Sequence, residues 1–358
     1  MPAPSVTSLP RLATITPSAT NTPSPTFAPT ETRQPVSQNL NPNNVSGLKI
    51  LAQRNYAPNE LITAVAWSPD GGRLAVAAGE NIHWLDGVSL RELRPLSIGA
   101  LSHSLAFSPD GTWLAAGSQD GIVRLWQTQA LDQPSGSSAP LLSLQAHKKG
   151  VNQVDFHPTR PLLATGGNDA IARIWNLKSG EQLSQTIGGT FAVPGLAFSP
   201  EGAYLAVMNG SVIRLREVDS GRMVVTLRVD TDLFSLAFSP SGGELVAGDN
   251  AGGLWLWQLD GIGGSGSEIP QPKRLDTGAT GGGLAGLVWQ VAFSPDGALF
   301  GVALGDGSLQ LWDAQSRERI WTAPVADSAV TSLSFSPDGC WLATGSLDAR
   351  LRLWGAIP

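Results

Sequence analysis

His147, Thr165 and Asp169 bring an imidazole, a hydroxyl and a carboxylate into one short stretch of this 358-residue chain. Such a set can do hydrolytic chemistry, with the hydroxyl as nucleophile, the imidazole as base and the carboxylate orienting it. Two other features invite a chemical reading. The run Thr277-Gly278-Ala279-Thr280-Gly281-Gly282-Gly283 has the composition of a phosphate-cradling loop, but it lacks a Gly-Lys-Ser/Thr ending and a following helical pattern. Asp249-Asn250 and Asp306-Gly307 look like calcium-loop turns in composition only, because no twelve-residue ligand pattern surrounds them. The four histidines, His83, His103, His147 and His157, show neither an HExxH motif nor a paired spacing. The single cysteine, Cys340, can build neither a cysteine-rich zinc site nor an intrachain disulfide. No metal or cofactor is therefore expected, and the meaning of His147 depends on the elements that hold it.

Those elements are repeats. The segment Ala66-Trp67-Ser68-Pro69-Asp70-Gly71 returns as AFSPDG at 106–111, DFHPTR at 155–160, AFSPEG at 197–202, AFSPSG at 237–242, AFSPDG at 292–297 and SFSPDG at 334–339. Its aromatic anchors are Trp67, Phe107, Phe156, Phe198, Phe238, Phe293 and Phe335, separated by 40, 49, 42, 40, 55 and 42 residues. A basal period of this size with insertions is that of a four-stranded propeller blade. Within each repeat an alternating apolar strand leads into the turn, where Pro fixes φ and Asp-Gly reverses the chain. A second short strand, a tight turn, a third strand and a more polar fourth strand complete the unit.

The seventh repeat stops after its third strand, at Leu353-Trp354. The missing outer strand is expected from residues 48–54, which would close the ring and remove the exposed edges of an open array. The folded domain is thus expected over 48–358. Of residues 1–47, 23 are Pro, Thr or Ser, and only Arg11, Glu31 and Arg33 are charged. Such a segment buries too little apolar surface to offset its ordering entropy, so a disordered tail or tether is expected there. Removing 1–47 should then leave stability unchanged, whereas removing 1–54 should expose an edge.

Composition narrows the function. The chain is 42 % hydrophobic and 15 % charged, with 41 Gly, 26 Pro and 12 Trp, which suits an all-β fold of short strands. A net charge of −6 argues against nucleic acid, and the one basic cluster, Lys148-Lys149, reads as a solvated loop. No segment approaches a transmembrane span or a signal-peptide core. The Pro/Thr/Ser tail is similar to stalks beside membrane anchors of bacterial surface proteins. An exported or surface-tethered location is thus favoured over a cytoplasmic one, with any signal or anchor lying outside this sequence.

The repeats resemble the WD40 family, in a bacterial-type seven-bladed β-propeller. Trp126, Trp175, Trp257, Trp312 and Trp354 fall at the tryptophan position of the third strand, and Trp312-Asp313 gives the full Trp-Asp pair. Blades 1 and 4 are read with Leu85 and Leu215 there. The resemblance implies a buried Asp–His–Ser/Thr–Trp hydrogen-bond network, for which blade 3 supplies His147, Thr165, Asp169 and Trp175. Blade 7 retains Thr344, Asp348 and Trp354 but has Ala326 at the His position. On this reading His147 braces a blade, and no enzyme is expected.

In that family the face around the channel mouth is the common contact surface. Four positions before the anchors lie Thr63, His103, Asn152, Pro194, Phe234, Trp289 and Thr331, with Leu61, Leu101, Phe191 and Leu287 just upstream. Aromatic and aliphatic residues at loop ends mark interaction surfaces. His103, Asn152, Phe191, Phe234, Leu287 and Trp289 are accordingly the candidate partner-binding residues. The expected function is a monomeric, non-catalytic scaffold for a protein or peptide partner. The alternative is an extracytoplasmic ligand-binding or sensor domain tethered near a membrane. Insertions at 127–139 and 258–270, rich in Gly, Ser and Pro, are expected to be mobile loops on the opposite face.

Overall fold

The Ser-Pro-Asp-Gly turns form through their own side chains. Asp70 Oδ1 accepts the Gly72 N–H at 2.9 Å and the Ser68 hydroxyl at 2.5 Å, while Ser68 Oγ accepts the Arg73 N–H at 2.9 Å. Gly71 completes the reversal at φ +70°, a conformation that a Cβ disfavours. The same bonds recur around Ser108 and Asp110, Ser294 and Asp296, and Ser336 and Asp338.

A computed structural model describes residues 38–133, 135–187, 191–262, 270–279 and 283–356. Among them the turns join 28 strands into seven antiparallel four-stranded sheets. Blades 1 to 6 occupy 62–97, 102–145, 151–187, 196–228, 233–276 and 288–324, each with its strands in chain order. Blade 7 takes three strands from 330–356 and its outermost from Leu48–Asn55. This closing strand pairs antiparallel with Arg350–Ala356, from Leu48 opposite Ala356 to Asn55 opposite Arg350, with a bulge between Ile50 and Ala52. The protein is a seven-bladed propeller whose ring closes through hydrogen bonds, as its repeat count implies.

Seven apolar clusters hold the blades, one between each neighbouring pair. Because each sheet is covered on both sides, central strands such as Leu162–Gly167 are buried at every residue instead of alternating. Spacing is set by glycines in the second strand. A Cβ on Gly248 would lie 2.2 Å from Val288 Cγ1, and one on Gly345 would lie 2.3 Å from Ile62 Cγ2. Each glycine thereby admits the first residue of the next blade's innermost strand, and the 7-to-1 junction at Gly345 uses the same fit as the junction between blades 5 and 6.

Two expectations need correction. The ordered chain begins before residue 48. Leu40 and Val45, each 1 % exposed, insert into the apolar layer between blades 6 and 7. The Leu40 N–H donates to Gly339 O at 2.9 Å, and the Cys340 thiol lies 3.1 Å from Asn39 Oδ1. Two aliphatic side chains in an otherwise polar stretch suffice to anchor residues 38–47 of the tail expected over 1–47, and its residues 1–37 lie outside the described residues. The blade 2 insertion is also built in. It forms a short helix, Thr128–Asp132, whose Leu131 is buried against blade 1 and whose Asp132 accepts from Arg73 Nε at 2.8 Å and Trp84 Nε1 at 3.0 Å. In the blade 5 insertion, residues 263–269 lie outside the described residues.

Truncation to residue 47 is therefore expected to cost stability. Leu40→Ala should lower the free energy of unfolding by ~2–4 kcal/mol in denaturant melts. Removal of 1–54 should leave Arg350–Ala356 as an open edge and drive aggregation, measurable by light scattering. A monomeric variant lacking 1–54 that melts like the parent would refute the closure account.

Candidate functional site

Each innermost strand has a neighbour in its sheet on one side only, so its other edge presents unpaired backbone groups to the channel. Side chains of adjacent blades satisfy many of them. Ser332 Oγ accepts the Val65 N–H at 3.0 Å, Ser104 Oγ accepts that of Val154 at 3.1 Å, and Gln290 Oε1 accepts that of Leu333 at 2.9 Å. Five positions before the anchor, carbonyls are met in the same way. Thr331 donates to Ile62 O at 2.6 Å, Thr63 to Ser102 O, Asn152 to Val193 O at 3.2 Å and Ser235 to Val288 O at 3.1 Å. These inter-blade bonds fix the height at which the innermost strands enter the channel.

At that height the seven residues four positions before the anchors line one cavity of about 440 Å³. Thr63, His103, Asn152, Pro194, Phe234, Trp289 and Thr331 all contribute to its wall, one from each blade. Phe234 and Trp289 meet edge to face with centroids 5.4 Å apart. The Trp289 indole N–H is enclosed with no hydrogen-bond acceptor among the described residues. His103 projects into the mouth, and partial burial lowers its imidazole below the ordinary range. A second cavity of about 400 Å³ shares Val65, Leu105 and Gln290 with the first and is walled further along by Ala66, Ala237, Ala292 and Ser334.

The other candidates separate here. Both donor hydrogens of Asn152 are spent within the fold, on Asn168 Oδ1 at 2.9 Å and on Val193 O. Leu287, the last residue before blade 6, is only 6 % exposed, so it offers no contact surface. Phe191 lies outside the cavity but is 62 % exposed on the same face. Of the Gly-rich run at 277–283, residues 280–282 lie outside the described residues.

Comparison with known proteins accords with this architecture. The family model described as WD domain, G-beta repeat matches residues 99–127, 138–176, 279–313 and 317–355. These four stretches match WD40 repeats. Over 126 residues it is 25 % identical to WD repeat-containing protein 18 of Danio rerio, covering 33 % of this chain and 28 % of that protein. Over 273 residues it is 24 % identical to telomerase protein component 1 of Rattus norvegicus, covering 76 % of this chain and 8 % of that protein. The chain spans less than a third of the length of either relative.

The matched WD40 stretches leave out blades 1, 4 and 5; blade 5 keeps Trp257 at the third-strand tryptophan position, whereas blades 1 and 4 have no tryptophan there. In blade 1 Leu85 stands opposite Leu74, as its tryptophan counterparts stand opposite theirs. In blade 4 the register pairs Leu205 with Arg216, so the tryptophan position falls on Arg216 and not on Leu215. A two-residue turn after Asn209 shortens this hairpin and shifts the count by one.

In blade 3 the four WD40 network residues form a continuous chain of hydrogen bonds. The Trp175 indole N–H donates to Thr165 Oγ1 at 3.0 Å, and the Thr165 hydroxyl donates to His147 Nε2 at 2.9 Å. His147 Nδ1–H in turn donates to Asp169 Oδ1 at 2.7 Å, with Arg173 paired to the other carboxylate oxygen at 2.9 Å. Burial holds the imidazole below its ordinary range against the opposing pull of Asp169. Burial alone would raise the Asp169 carboxyl, but the bonds from His147 and Arg173 keep it low. The Thr165 side chain is fully enclosed, so no substrate can reach the hydroxyl that a hydrolytic reading would make the nucleophile.

Sequence reasoning gave no role to two further polar residues of blade 3. His157 replaces the turn serine; its Nδ1 accepts the Thr159 and Arg160 N–H groups, and its Nε2 lies 3.0 Å from Gly202 O of blade 4. Asp155 stands one position before its anchor, where the other blades carry Ala or Ser. Its Oδ2 accepts the Phe198 N–H at 2.7 Å, and burial pushes its carboxyl up to about 7. The signal for both was visible as DFHPTR, the most divergent of the seven turn segments.

Two stability experiments follow. The folded state holds the Asp155 proton to about pH 7, above the unfolded carboxylate range. Its contribution is thus present at low pH and lost as pH rises through about 7. Asp155→Asn keeps the acceptor oxygen and removes the titration. It should melt higher than the parent near pH 8, by the equivalent of a few kcal/mol, with little difference near pH 4.5. Equal melting differences at both values would contradict the buried carboxylate. Thr165→Val should strand Trp175 Nε1 and His147 Nε2 together and cost about 2 kcal/mol, read from urea melts.

Proposed function

We propose that this WD40 propeller is a non-catalytic scaffold that holds a protein or peptide partner at its channel mouth. The observation that carries this reading is the convergence of one residue from every blade on a single cavity, with Phe234 and Trp289 side by side in its wall. Concave sites lined by apolar and aromatic groups with a few polar ones are the usual seats of ligands and peptide anchors. Aromatic side chains concentrate binding energy when a partner desolvates them. Phe191 and Leu284, exposed by 62 % and 64 %, extend the apolar surface over the loops around the mouth. His103 adds a polar group with no partner among the described residues. WD repeat-containing protein 18 and telomerase protein component 1 are named as a repeat protein and a protein component, which accords with an assembly role.

The double variant Phe234→Ser/Trp289→Ser should fold, because neither ring is fully buried. In affinity purification with quantitative mass spectrometry it should lose the partners that the parent retains by at least about tenfold, equivalent to ~1.4 kcal/mol. Unchanged recovery by a variant that melts like the parent would defeat the reading.

A further inference from the structure

The partner's chemistry can be read from the charges that surround the mouth, an inference that rests on the mouth being the contact surface. Five exposed carboxylates sit in loops of this face without an ion pair among the described residues. They are Asp230 and Asp232 between blades 4 and 5, Asp306 in blade 6, Asp327 between blades 6 and 7, and Glu80 in blade 1. Half-buried Glu60, before blade 1, and exposed Asp276, at the end of the outer strand of blade 5, also lack an ion pair among the described residues, and the face's remaining acidic residues are neutralised. Asp120 pairs with Arg124, Asp169 with Arg173 and Asp348 with Arg352, while buried Asp249 accepts from Trp255 and Thr231. The exposed cations nearby are Lys148 and Lys149, between blades 2 and 3, Arg228, which ends the outer strand of blade 4, Arg274, over the Trp255 ring in blade 5, and Arg350, 3.9 Å from Asp348 in blade 7.

Ring order makes the distribution lopsided. The unpaired carboxylates occupy the arc from blade 4 through blades 5, 6 and 7 to blade 1, and the lysine pair lies across the channel from the middle of that arc. Phe234 and Trp289 belong to blades 5 and 6, inside the acidic sector. The exposed apolar groups share it. Leu284 leads into blade 6, and the Phe191 ring and the Asp232 carboxylate both lie within 4 Å of the Cβ direction of Gly210. Aromatic knobs and free carboxylates therefore occupy the same surface.

We infer that the occupant is a cationic peptide segment carrying an aromatic or branched aliphatic side chain. That side chain seats against Phe234 and Trp289, and flanking lysines or arginines face Asp230, Asp232 and Asp327. A neutral segment would gain the apolar contact but not the attraction, and an acidic one would meet like charge on this side. The segment runs with its basic portion over blades 5 to 7, leaving the Lys148-Lys149 sector for neutral or acidic residues.

The test uses a phage-displayed random dodecapeptide library selected on the full chain, followed by fluorescence anisotropy with the enriched peptides. The expected result is enrichment of peptides with net positive charge around an apolar residue. Their affinity should fall about tenfold in Asp230→Lys/Asp232→Lys/Asp327→Lys, and fall again as salt rises from ~0.1 to ~1 M, where the screening length shrinks from ~10 to ~3 Å. Lys148→Glu/Lys149→Glu should bind them no more weakly than the parent. Neutral or acidic peptides that need Phe234 and Trp289 but ignore the charge changes would overturn this inference and leave the mouth reading standing. No enrichment, or peptides indifferent to Phe234→Ser/Trp289→Ser, would overturn both.

Discussion

Every blade of this protein is an antiparallel sheet with both faces apolar, and such a sheet is stable only when something covers each face. The ring supplies the cover seven times over, with one apolar layer per junction. Six of those junctions follow the chain. The seventh joins blade 7 to blade 1, and the chain meets itself there through strand pairing and side-chain packing alone. Leu48–Asn55 completes blade 7 while Ile62 of blade 1 enters the space left by Gly345. A defect at this junction would open two apolar sheet faces and one strand edge at once. Leu40 and Val45 reinforce the preceding layer from the same end of the chain, so the residues before the first blade act on blades 6 and 7.

The proposed contact face is a by-product of the same constraint. To pack at these junctions, the innermost strands must stagger so that the residue five before the anchor lies against the previous blade's second strand. The residue that follows it is then delivered to the channel. Its neighbours are committed, those five back and two back being mostly branched aliphatics and those three back often bonding to the next blade. The channel mouth is the level at which the fold exerts least demand on side-chain identity.

How much of this was legible in the sequence follows from the range of the forces involved. The Ser-Pro-Asp-Gly turn is closed by bonds within five residues, so its seven copies could be counted directly, and the count implied the borrowed strand. The ring of mouth residues could be aligned because a fixed number of strand residues separates it from the anchor. Contacts between distant segments left weaker traces. Leu40 and Val45 were lost among prolines and threonines, since two aliphatic residues have no period. The helix Thr128–Asp132 is held by Arg73 and Trp84 of another blade, which composition does not encode. Leu287 was misjudged for a related reason: loop position indicates a face, whereas exposure depends on what folds over it. Arg216 was missed because the blade 4 hairpin, like that of blade 1, reverses in two residues, which moves the position opposite the second strand by one residue along the sequence.

The differences among blades at the mouth position carry the functional argument further than any single side chain. Two positions back from the anchor, the blades read Val65, Leu105, Val154, Leu196, Leu236, Val291 and Leu333, near-equivalent solutions to one packing problem. Four back they read Thr63, His103, Asn152, Pro194, Phe234, Trp289 and Thr331. Thr63, Asn152 and Thr331 still serve the fold, because each donates to a carbonyl of the next blade. His103, Pro194, Phe234 and Trp289 make no such bond, and at the junction after Phe234 the Val288 carbonyl is met by Ser235 instead. Two large aromatic rings at adjacent blades in a channel that threonine could line are a departure from what folding requires. The departure is concentrated at blades 5 and 6, where the surrounding loops also leave their carboxylates unpaired.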